Sequence, residues 1–129
     1  MQTILITGAT DGIGLALAQI YSAQGARLVL IGRKPLSALA HPLFSETTYC
    51  QADLSKADCA ERVTTFLQQQ MISKLDLVIQ NAGVGYVGEI GAQSVEEIKM
   101  LFTVNLTAPM QLTHALFPLM QGGKLVFIS

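Results

Sequence analysis

The sequence is poor in several residue types that mark common functions. Among its 129 residues there are no tryptophans, two cysteines and two histidines, and only 13% are charged, with a formal net charge of -1. A chain without a basic excess lacks the electrostatic field that holds nucleic acid or an anionic membrane. Cys50 and Cys59 have no CxxC spacing and no histidine beside them, which indicates free thiols and no metal site. We therefore expect the partners to be small molecules.

Long apolar runs are also absent. No uninterrupted apolar stretch reaches the ~18 residues of a membrane span, and Met1 leads directly into "QTILITG" without a basic segment or a cleavage site. We therefore expect a cytoplasmic protein without membrane contact. No repeat or change of composition divides residues 1–129, which predicts one domain. The hydrophobic share of 50% is high for a small domain, so we expect association with further copies as a homo-oligomer.

What is present is an alternation of strand and helix patterns. Apolar runs predict strands over 3–7, 28–31, part of 47–55, 75–79 and 124–129, and helical periodicity predicts helices over 13–25, 57–70 and 94–120. This alternation favours the α/β class: a doubly wound, Rossmann-like parallel sheet with its five strands in order 3-2-1-4-5. Ligands of such sheets bind beyond the carboxyl ends of the strands, here where the first and fourth strands meet.

Two of these elements are marked by their apolar residues. Ile13, Leu17, Ile20 and Tyr21 recur at helical spacing, which predicts the first helix. The last run, from Leu125 to Ile128, is apolar on both faces, which is typical of a buried parallel strand. Because the sequence stops there, we expect the sheet to be incomplete at its fifth-strand edge.

The stretch "TGATDGIG" lies between the first predicted strand and the first predicted helix, the context in which glycine spacing indicates phosphate binding. Gly8 permits a sharp exit from the strand, Gly12 lets a pyrophosphate approach the backbone, and Gly14 lets the helix pack close to the sheet. The helix N-terminus offers free N–H groups and a partial positive charge to an anion. A glycine-rich turn that binds no ligand is the alternative.

The end of the second strand bears on the choice of cofactor. A dinucleotide-binding fold commonly carries an acid here for the ribose 2′-hydroxyl, whereas this sequence has Gly32 followed by Arg33 and Lys34. An acid would repel a 2′-phosphate, and a guanidinium would bind one. We therefore expect NADP rather than NAD. A solvated basic loop is the alternative interpretation.

Four motifs, in this order along the chain, resemble those of the classical short-chain dehydrogenase/reductases: "TGATDGIG", "ADLS" at 52–55, "NAG" at 81–83 and "VNLT" at 104–107. The resemblance extends along the whole chain, although members of that family are considerably longer. It implies a set of cofactor-binding residues: Gly8, Thr10, Asp11, Gly12, Ile13, Gly14, Arg33, Asp53, Leu54, Asn81, Ala82 and Gly83. Asp11 departs from the pattern, because some NADP-using members have a basic residue there.

The resemblance assigns roles to the later motifs. It implies that Asp53 bonds the adenine amino group and that Leu54 lies beside the adenine ring. Asn81, Ala82 and Gly83 would steady the fourth strand near the ribose. Both motifs also have a structural alternative, because an Asp before a helix is often an N-cap and Asn-Ala-Gly is often a turn.

Asn105 resembles the asparagine of the family's catalytic tetrad, which implies a role in a proton relay. Pro109 stands four residues later and has no N–H, so it cannot bond the carbonyl of Asn105 in an α-helix. The sequence therefore predicts a free carbonyl at a kink, able to hold a water. The alternative is that Pro109 ends one helix and begins another.

The family's proton donor is absent from the sequence. A Tyr-x-x-x-Lys motif follows the fifth strand in the family, but no lysine stands four residues after Tyr21, Tyr49 or Tyr86. We interpret residues 1–129 as the cofactor-binding part of an NADP-dependent oxidoreductase that transfers hydride between nicotinamide and a carbonyl or alcohol substrate. The chain alone is expected to be inactive, because carbonyl reduction needs an acid. A non-catalytic dinucleotide-binding or sensor module is the alternative.

Overall fold

A computed structural model of the chain describes residues 1–129 and contains one parallel sheet in the order β3-β2-β1-β4-β5. The predicted fold class and strand order are confirmed. The elements are β1 Thr3–Thr7, α1 Gly12–Ala23, β2 Arg27–Gly32, β3 Tyr49–Gln51, α2 Cys59–Gln69, β4 Leu77–Gln80, α3 Val95–Phe102, α4 Ala108–Leu116 and β5 Lys124–Phe127. None of the helices combines the length and apolar composition needed to cross a membrane.

Strands β1 and β2 are buried because their apolar residues face helices on both sides of the sheet. On one side, Leu5 and Val29 pack with α2 and α4, and on the other, Ile4 and Leu30 pack with α1. All four side chains are fully buried. In the register, Thr7 pairs with Ile31 and Ile6 pairs with Ile79, so β1, β2 and β4 end at nearly the same level. The loops that follow them therefore meet at one edge of the sheet.

The predicted first helix is present as α1, but its isoleucines do not lie on its buried face. Ile13 and Ile20 are 60% and 52% exposed, and the buried residues of the helix are Gly14 and Ala18. Small residues allow the helix axis to lie close to the sheet, and this close approach rotates the bulky Ile13 and Ile20 toward solvent. Spacing alone cannot distinguish this face, because an apolar residue is not required where a helix packs through its backbone.

The predicted long helix over 94–120 is present, but its hydrogen bonding changes along its length. Ser94 and Glu97 form a complete capping box at its start. After α3, the backbone widens into a π-helical turn, Thr103–Thr107, in which the N–H of Ala108 donates to the carbonyl of Thr103 five residues earlier. α4 follows with helical dihedral angles at the junction. The chain thus accommodates the proline by adding one residue to a turn rather than by ending the helix.

The fifth strand has a different environment from the one predicted. β5 pairs with β4 in parallel, as expected, but all four of its residues are exposed. Leu125, Val126 and Phe127 are 36%, 42% and 49% exposed. The strand has a single neighbour and lies at the edge of the sheet, which is therefore open at β5.

Candidate functional site

A cleft of about 340 Å³ opens at the carboxyl edge of the sheet. It lies beyond β1 and β2 and extends to the loops that follow β3 and β4. Eight of the twelve predicted cofactor-binding residues line it: Gly8, Thr10, Asp11, Arg33, Asp53, Leu54, Ala82 and Gly83. The other four, Gly12, Ile13, Gly14 and Asn81, lie in the turn or behind it. The fold therefore brings four separate sequence motifs to one concave surface.

The glycine turn has the geometry that its spacing predicts. Gly8 and Gly12 have φ angles of +63° and +54°, in the left-handed region that favours glycine. A Cβ on Gly14 would collide with the carbonyl oxygen of Gly8 and would lie 2.7 Å from Nδ2 of Asn81. The absence of that Cβ is what lets α1 approach the ends of β1 and β4.

The N-terminus of α1 offers unpaired donors beside the cleft. The side chain of Asp11, the N-cap residue, makes no capping hydrogen bond, and the first turn contains no acidic residue. The N–H groups of Gly12, Ile13 and Gly14 donate to no acceptor within the chain. Unpaired N–H groups together with the helix dipole favour an anion at this position. Ile13 contributes its N–H here, while its side chain points to solvent.

The threonine that ends β1 ties the glycine turn to the Asn-Ala-Gly segment. Oγ1 of Thr7, which is fully buried, accepts hydrogen bonds from the N–H groups of Asn81 and Ala82, both at 3.0 Å. Nδ2 of Asn81 donates to the carbonyl of Gly8 at 3.1 Å. These bonds hold the loop after β4 against the loop after β1. They bring Ala82 and Gly83 to the wall of the cleft.

Arg33 and Lys34 lie on the cleft's rim directly after β2, and both are exposed. Gly32 is buried, and a Cβ there would lie 2.6 Å from Cγ2 of Thr10 and 2.8 Å from the hydroxyl of Tyr49. The position at which dinucleotide folds commonly carry an acid therefore has no room for a side chain. With Lys56, the cleft's lining has three cationic residues against the carboxylates of Asp11 and Asp53.

Asp53 has an organised carboxylate. Its Oδ1 accepts hydrogen bonds from the N–H of Ser55 at 2.8 Å and from the Ser55 hydroxyl at 2.7 Å, while Oδ2 has no partner within the chain. The N-cap of α2 is Asp58, so Asp53 does not cap that helix. Burial favours a raised pKa for Asp53, but the Ser55 hydrogen bonds and the charges of Arg33 and Lys56 outweigh it and lower the pKa. The carboxylate is thus ionised and has a free acceptor oxygen at the cleft.

Asn105 is adjacent to the cleft and holds its wall. Its Oδ1 accepts from the N–H of Val84 at 3.0 Å, and its Nδ2 donates to the Val84 carbonyl at 2.8 Å. A Cβ on Gly83 would lie 2.8 Å from Oδ1 of Asn105, so the glycine allows this pairing. Both ends of the amide are therefore occupied by the backbone. The carbonyl of Asn105 lies in the π-helical turn, four residues before Pro109, which has no N–H to offer it.

A larger and more open groove of about 550 Å³ lies on the other side of β3. Its lining includes the carboxylates of Glu46, Asp58 and Glu61 and a single guanidinium, from Arg62. An acidic surface without a glycine turn disfavours phosphate groups, and the acids Asp58 and Glu61 lie at the start of α2 within it. The smaller cleft is therefore the better candidate for the functional site.

Several residues that shape the cleft are not among the predicted site residues. Thr7, Ser55 and Val84 supply the acceptors and donors that hold the loops, and Met100 and Val104 add apolar lining from α3 and the π-helical turn. Thr7 and Ser55 lie within the motifs at 7–14 and 52–55, Val84 directly follows the motif at 81–83, and Val104 begins the motif at 104–107, so the motifs were the local signal for these four. Met100 comes from a helix distant in sequence, and only the fold brings it to the cleft.

Comparison with known proteins agrees with this geometry. The family model described as short chain dehydrogenase matches residues 2–129. Dehydrogenase/reductase SDR family member 7B of Bos taurus is 34% identical over 141 residues, which cover 98% of this chain and 43% of that protein. YciK of Escherichia coli, an uncharacterized oxidoreductase, is 34% identical over 139 residues, which cover 98% and 54%. The chain thus spans about half the length of the curated relatives it matches.

Solved structures are similar over nearly the whole chain. A carbonyl reductase from Pseudomonas aeruginosa in complex with NADP has a TM-score of 0.84 and 30% identity, with coverage of 100% of this chain and 61% of that one. A short-chain dehydrogenase from Streptomyces avermitilis has a TM-score of 0.83 and 27% identity, with coverage of 99% and 48%. The match of the family model over residues 2–129 assigns this chain to the short chain dehydrogenase family of oxidoreductases.

Proposed function

We propose that this chain is the NADP-binding part of a short-chain oxidoreductase, which in a protein of its relatives' length transfers hydride between nicotinamide and a small carbonyl or alcohol substrate. One observation carries the proposal: the glycine turn after β1 and the basic pair after β2 line the same cleft, with no acid at Gly32. The first feature suits a pyrophosphate and the second suits a 2′-phosphate.

The residues present fit such a cofactor in charge and backbone geometry. The glycine turn after β1 borders the cleft, and the unpaired N–H groups at the start of α1 would bind the pyrophosphate. Arg33 would bind the 2′-phosphate, and the free Oδ2 of Asp53 would accept from the adenine amino group. Leu54 would lie beside the adenine, while Asn81, Ala82 and Gly83 would support the ribose. The bound cofactor supplies the hydride.

Asn105 would act mainly through position. Its side chain holds Val84 at both ends, so its contribution to chemistry would come from the backbone carbonyl, which lacks a donor at Pro109. We propose that this carbonyl orders a water in a proton relay. In a protein of the relatives' length, Pro109→Ala restores an N–H and should lower kcat with little effect on the Kd for NADPH. Unchanged turnover would return Asn105 to a structural role.

Two relatives bear on the choice of cofactor. The carbonyl reductase from Pseudomonas aeruginosa was solved with NADP, whereas an oxidoreductase from Brucella ovis, 26% identical with a TM-score of 0.79, was solved with partially ordered NAD. The family therefore accommodates both. Here the buried Gly32 and the exposed Arg33 favour NADP, and Asp11 at the rim weakens the preference.

Calorimetric titration of residues 1–129 with NADPH and with NADH tests the proposal. Binding of the adenosine half of the cofactor alone should contribute roughly 4 to 6 kcal/mol of binding free energy, or a Kd from about 1 mM to tens of μM. Arg33→Ala should remove most of the preference, because a charge-assisted hydrogen bond contributes about 1.5 to 3 kcal/mol. Lys74→Ala, which removes a cation outside the cleft, is the control. Equal affinity of the unmutated chain for the two cofactors would contradict NADP dependence.

A non-catalytic dinucleotide-binding or sensor module is the second candidate, because the cleft's lining offers groups for binding but contains no tyrosine. The two candidates differ in turnover. NADPH oxidation with a panel of ketones and aldehydes should be undetectable for residues 1–129 and present for a protein of the relatives' length. Binding without turnover in the longer protein would support the sensor.

We also propose that this chain associates with itself. Apolar residues of β5 are exposed along a strand edge that has no neighbour, and such an edge favours pairing or burial against another surface. Sedimentation across a concentration series should show self-association, and Phe127→Glu should reduce it. A stable monomer at high concentration would contradict this proposal.

A further inference from the structure

The backbone that carries Arg33 is held by side chains of the neighbouring strand. Nε2 of Gln51 donates to the carbonyl of Arg33 at 3.0 Å, and the hydroxyl of Tyr49 donates to the carbonyl of Lys34 at 2.6 Å. Tyr49 and Gln51 are two residues apart on β3, so they lie on the same face of the strand. No backbone hydrogen bond involves Arg33 or Lys34. The two side chains therefore make all the hydrogen bonds of this backbone.

Tyr49 is itself fixed in place. Tyr49 is only 5% exposed, and its ring packs edge-on against Phe44 with 5.4 Å between the ring centroids. β3 holds the residue in register opposite Leu30. Burial, with a smaller effect of Cys50, raises the pKa of Tyr49 to about 12, so the hydroxyl keeps its proton and remains a donor at physiological pH. A rigid donor of this kind can determine where the Lys34 carbonyl lies.

We infer that Tyr49 and Gln51 are positioning residues for cofactor choice: by binding two successive carbonyls, they set the turn from which Arg33 reaches a 2′-phosphate. This inference rests on the proposed function. The Arg33 side chain is exposed and makes no ion pair within 4 Å, so its position depends mainly on the backbone that carries it. An unanchored turn would present the guanidinium over a wider range of positions, and each hydrogen bond to the phosphate would cost more ordering entropy.

The Tyr49 hydroxyl also bears on the alternative cofactor. It lies 2.8 Å from the position of a Cβ on Gly32, where an acid for the ribose 2′-hydroxyl would have to stand. The same oxygen that anchors the Arg33 turn thus occupies the space that an NAD-binding acid would need. Strand β3 therefore favours NADP over NAD in two ways: it anchors the turn that carries Arg33, and it occupies the space beside Gly32. It does so although it lies outside the glycine turn and supplies none of the sequence motifs for the phosphate.

The test uses residues 1–129 and two probes that differ only in the 2′-phosphate: 2′,5′-ADP and 5′-AMP, titrated by NMR chemical shifts. Tyr49→Phe keeps the ring and removes the hydroxyl. It should weaken 2′,5′-ADP binding about three- to tenfold, the range expected for one lost hydrogen bond, and change 5′-AMP binding less than about twofold. Tyr86→Phe is the matched control, since the Tyr86 hydroxyl bonds Glu89 in an exposed loop outside the cleft. A merely structural role would weaken both probes equally.

Gln51→Leu removes the hydrogen bond to the Arg33 carbonyl. Because Gln51 is exposed, the substitution should leave the packing of the core unchanged. It should also lower the preference for 2′,5′-ADP, whereas Gln19→Leu, which removes an exposed amide bonded to His41, should not. If the unmutated chain binds both probes equally, the proposed NADP dependence fails, and this inference fails with it. If the unmutated chain prefers 2′,5′-ADP and Gln51→Leu and Tyr49→Phe both keep the preference, this inference alone is overturned. Should Tyr49→Phe not fold, Gln51→Leu decides.

Discussion

The centre of the sheet and its β5 edge are built from similar residues, yet they have opposite environments. Ile4, Leu5 and Ile6 of β1 are fully buried, whereas Leu125, Val126 and Phe127 of β5 are 36% to 49% exposed. Twelve of the sixteen exposed large hydrophobic residues lie between Tyr86 and Phe127. Composition therefore does not distinguish the two regions. The difference is that β1 has strands on both sides and helices on both faces, while β5 has one neighbouring strand.

The two regions should differ in how strongly a substitution changes the free energy of unfolding. Near the cleft, Gly14 and Thr7 directly contact backbone groups that are held in place, so an added or removed atom cannot be accommodated. At β5 the side chains border solvent on at least one side and can adjust. We therefore expect substitutions of equal size to have large effects in the centre and small effects at the edge. The following predictions test this contrast, beginning with the largest expected change.

Gly14→Ala should have the largest effect. The added Cβ would collide with the Gly8 carbonyl, a backbone atom that Asn81 holds by a hydrogen bond. We expect a loss of more than about 3 kcal/mol in the free energy of unfolding, at or above the upper end of ordinary overpacking. Urea denaturation followed by circular dichroism measures it. Gly91→Ala, where a Cβ would meet nothing within 4 Å, should change stability very little. Equal losses at both positions would contradict the close approach of α1.

Thr7→Val should follow. The substitution keeps the shape of the side chain but removes the acceptor of two N–H groups, those of Asn81 and Ala82. We expect a loss of about 2 to 3 kcal/mol, because each buried donor left without a partner costs roughly 1 to 3 kcal/mol. Amide hydrogen exchange at Asn81 and Ala82 should accelerate. Thr3→Val, at the other end of β1, is the control, because the Thr3 hydroxyl makes no hydrogen bond within the chain. Unchanged exchange in Thr7→Val would contradict this account.

A pair of identical substitutions compares the two regions directly. Val78 on β4 is fully buried, and Val126 on β5 is 42% exposed. Val78→Ala should cost about 2 kcal/mol, from lost burial and the cavity left behind, and Val126→Ala should cost less than about 1 kcal/mol. Chemical denaturation at low protein concentration measures both without self-association. A cost at Val126 equal to that at Val78 would show that something covers β5.

Asp53→Asn should have the smallest effect of the substitutions at the cleft, and one that depends on pH. Folding lowers the pKa of Asp53, so its contribution is present above the unfolded-state pKa and is lost as the pH falls through the folded-state value. The substitution should cost about 1 kcal/mol at pH 7, because the Ser55 donors lose a charged acceptor, and much less near pH 3. Denaturation at the two pH values measures the difference. A cost that is the same at both would argue against an ionised acceptor.

Much of the fold was predictable because it depends on local patterns. The five strands, the capping box of Ser94 and Glu97 and the turn at Gly8 follow from hydrophobic periodicity, side-chain capping and backbone freedom, which act within a few residues. The π-helical turn before Pro109 was predicted only as a kink. Its exact form depends on how α3 and α4 both pack on the sheet, and a local pattern does not contain that information.

The candidate site was predictable in its motifs but not in the contacts that hold them. Eight predicted residues line one cleft. The motif "NAG" does not predict its hydrogen bonds to Thr7, and the stretch "TTYCQ" does not predict that Tyr49 bonds the Lys34 carbonyl. These partners are distant in sequence, by 74 residues between Thr7 and Asn81 and by 15 between Lys34 and Tyr49. They meet because parallel strands end at a common edge.

Local sequence therefore decides which segments become strands, where the chain turns with glycine, and that an acid is missing after β2. Only the tertiary structure decides that α1 packs through Gly14 and Ala18 rather than through its isoleucines, that Gly32 has no room for a side chain, and that the apolar β5 is exposed. The physical reason is the range of the interactions. Propensity and capping act between near neighbours, whereas burial and steric exclusion depend on which distant segments the sheet brings into contact.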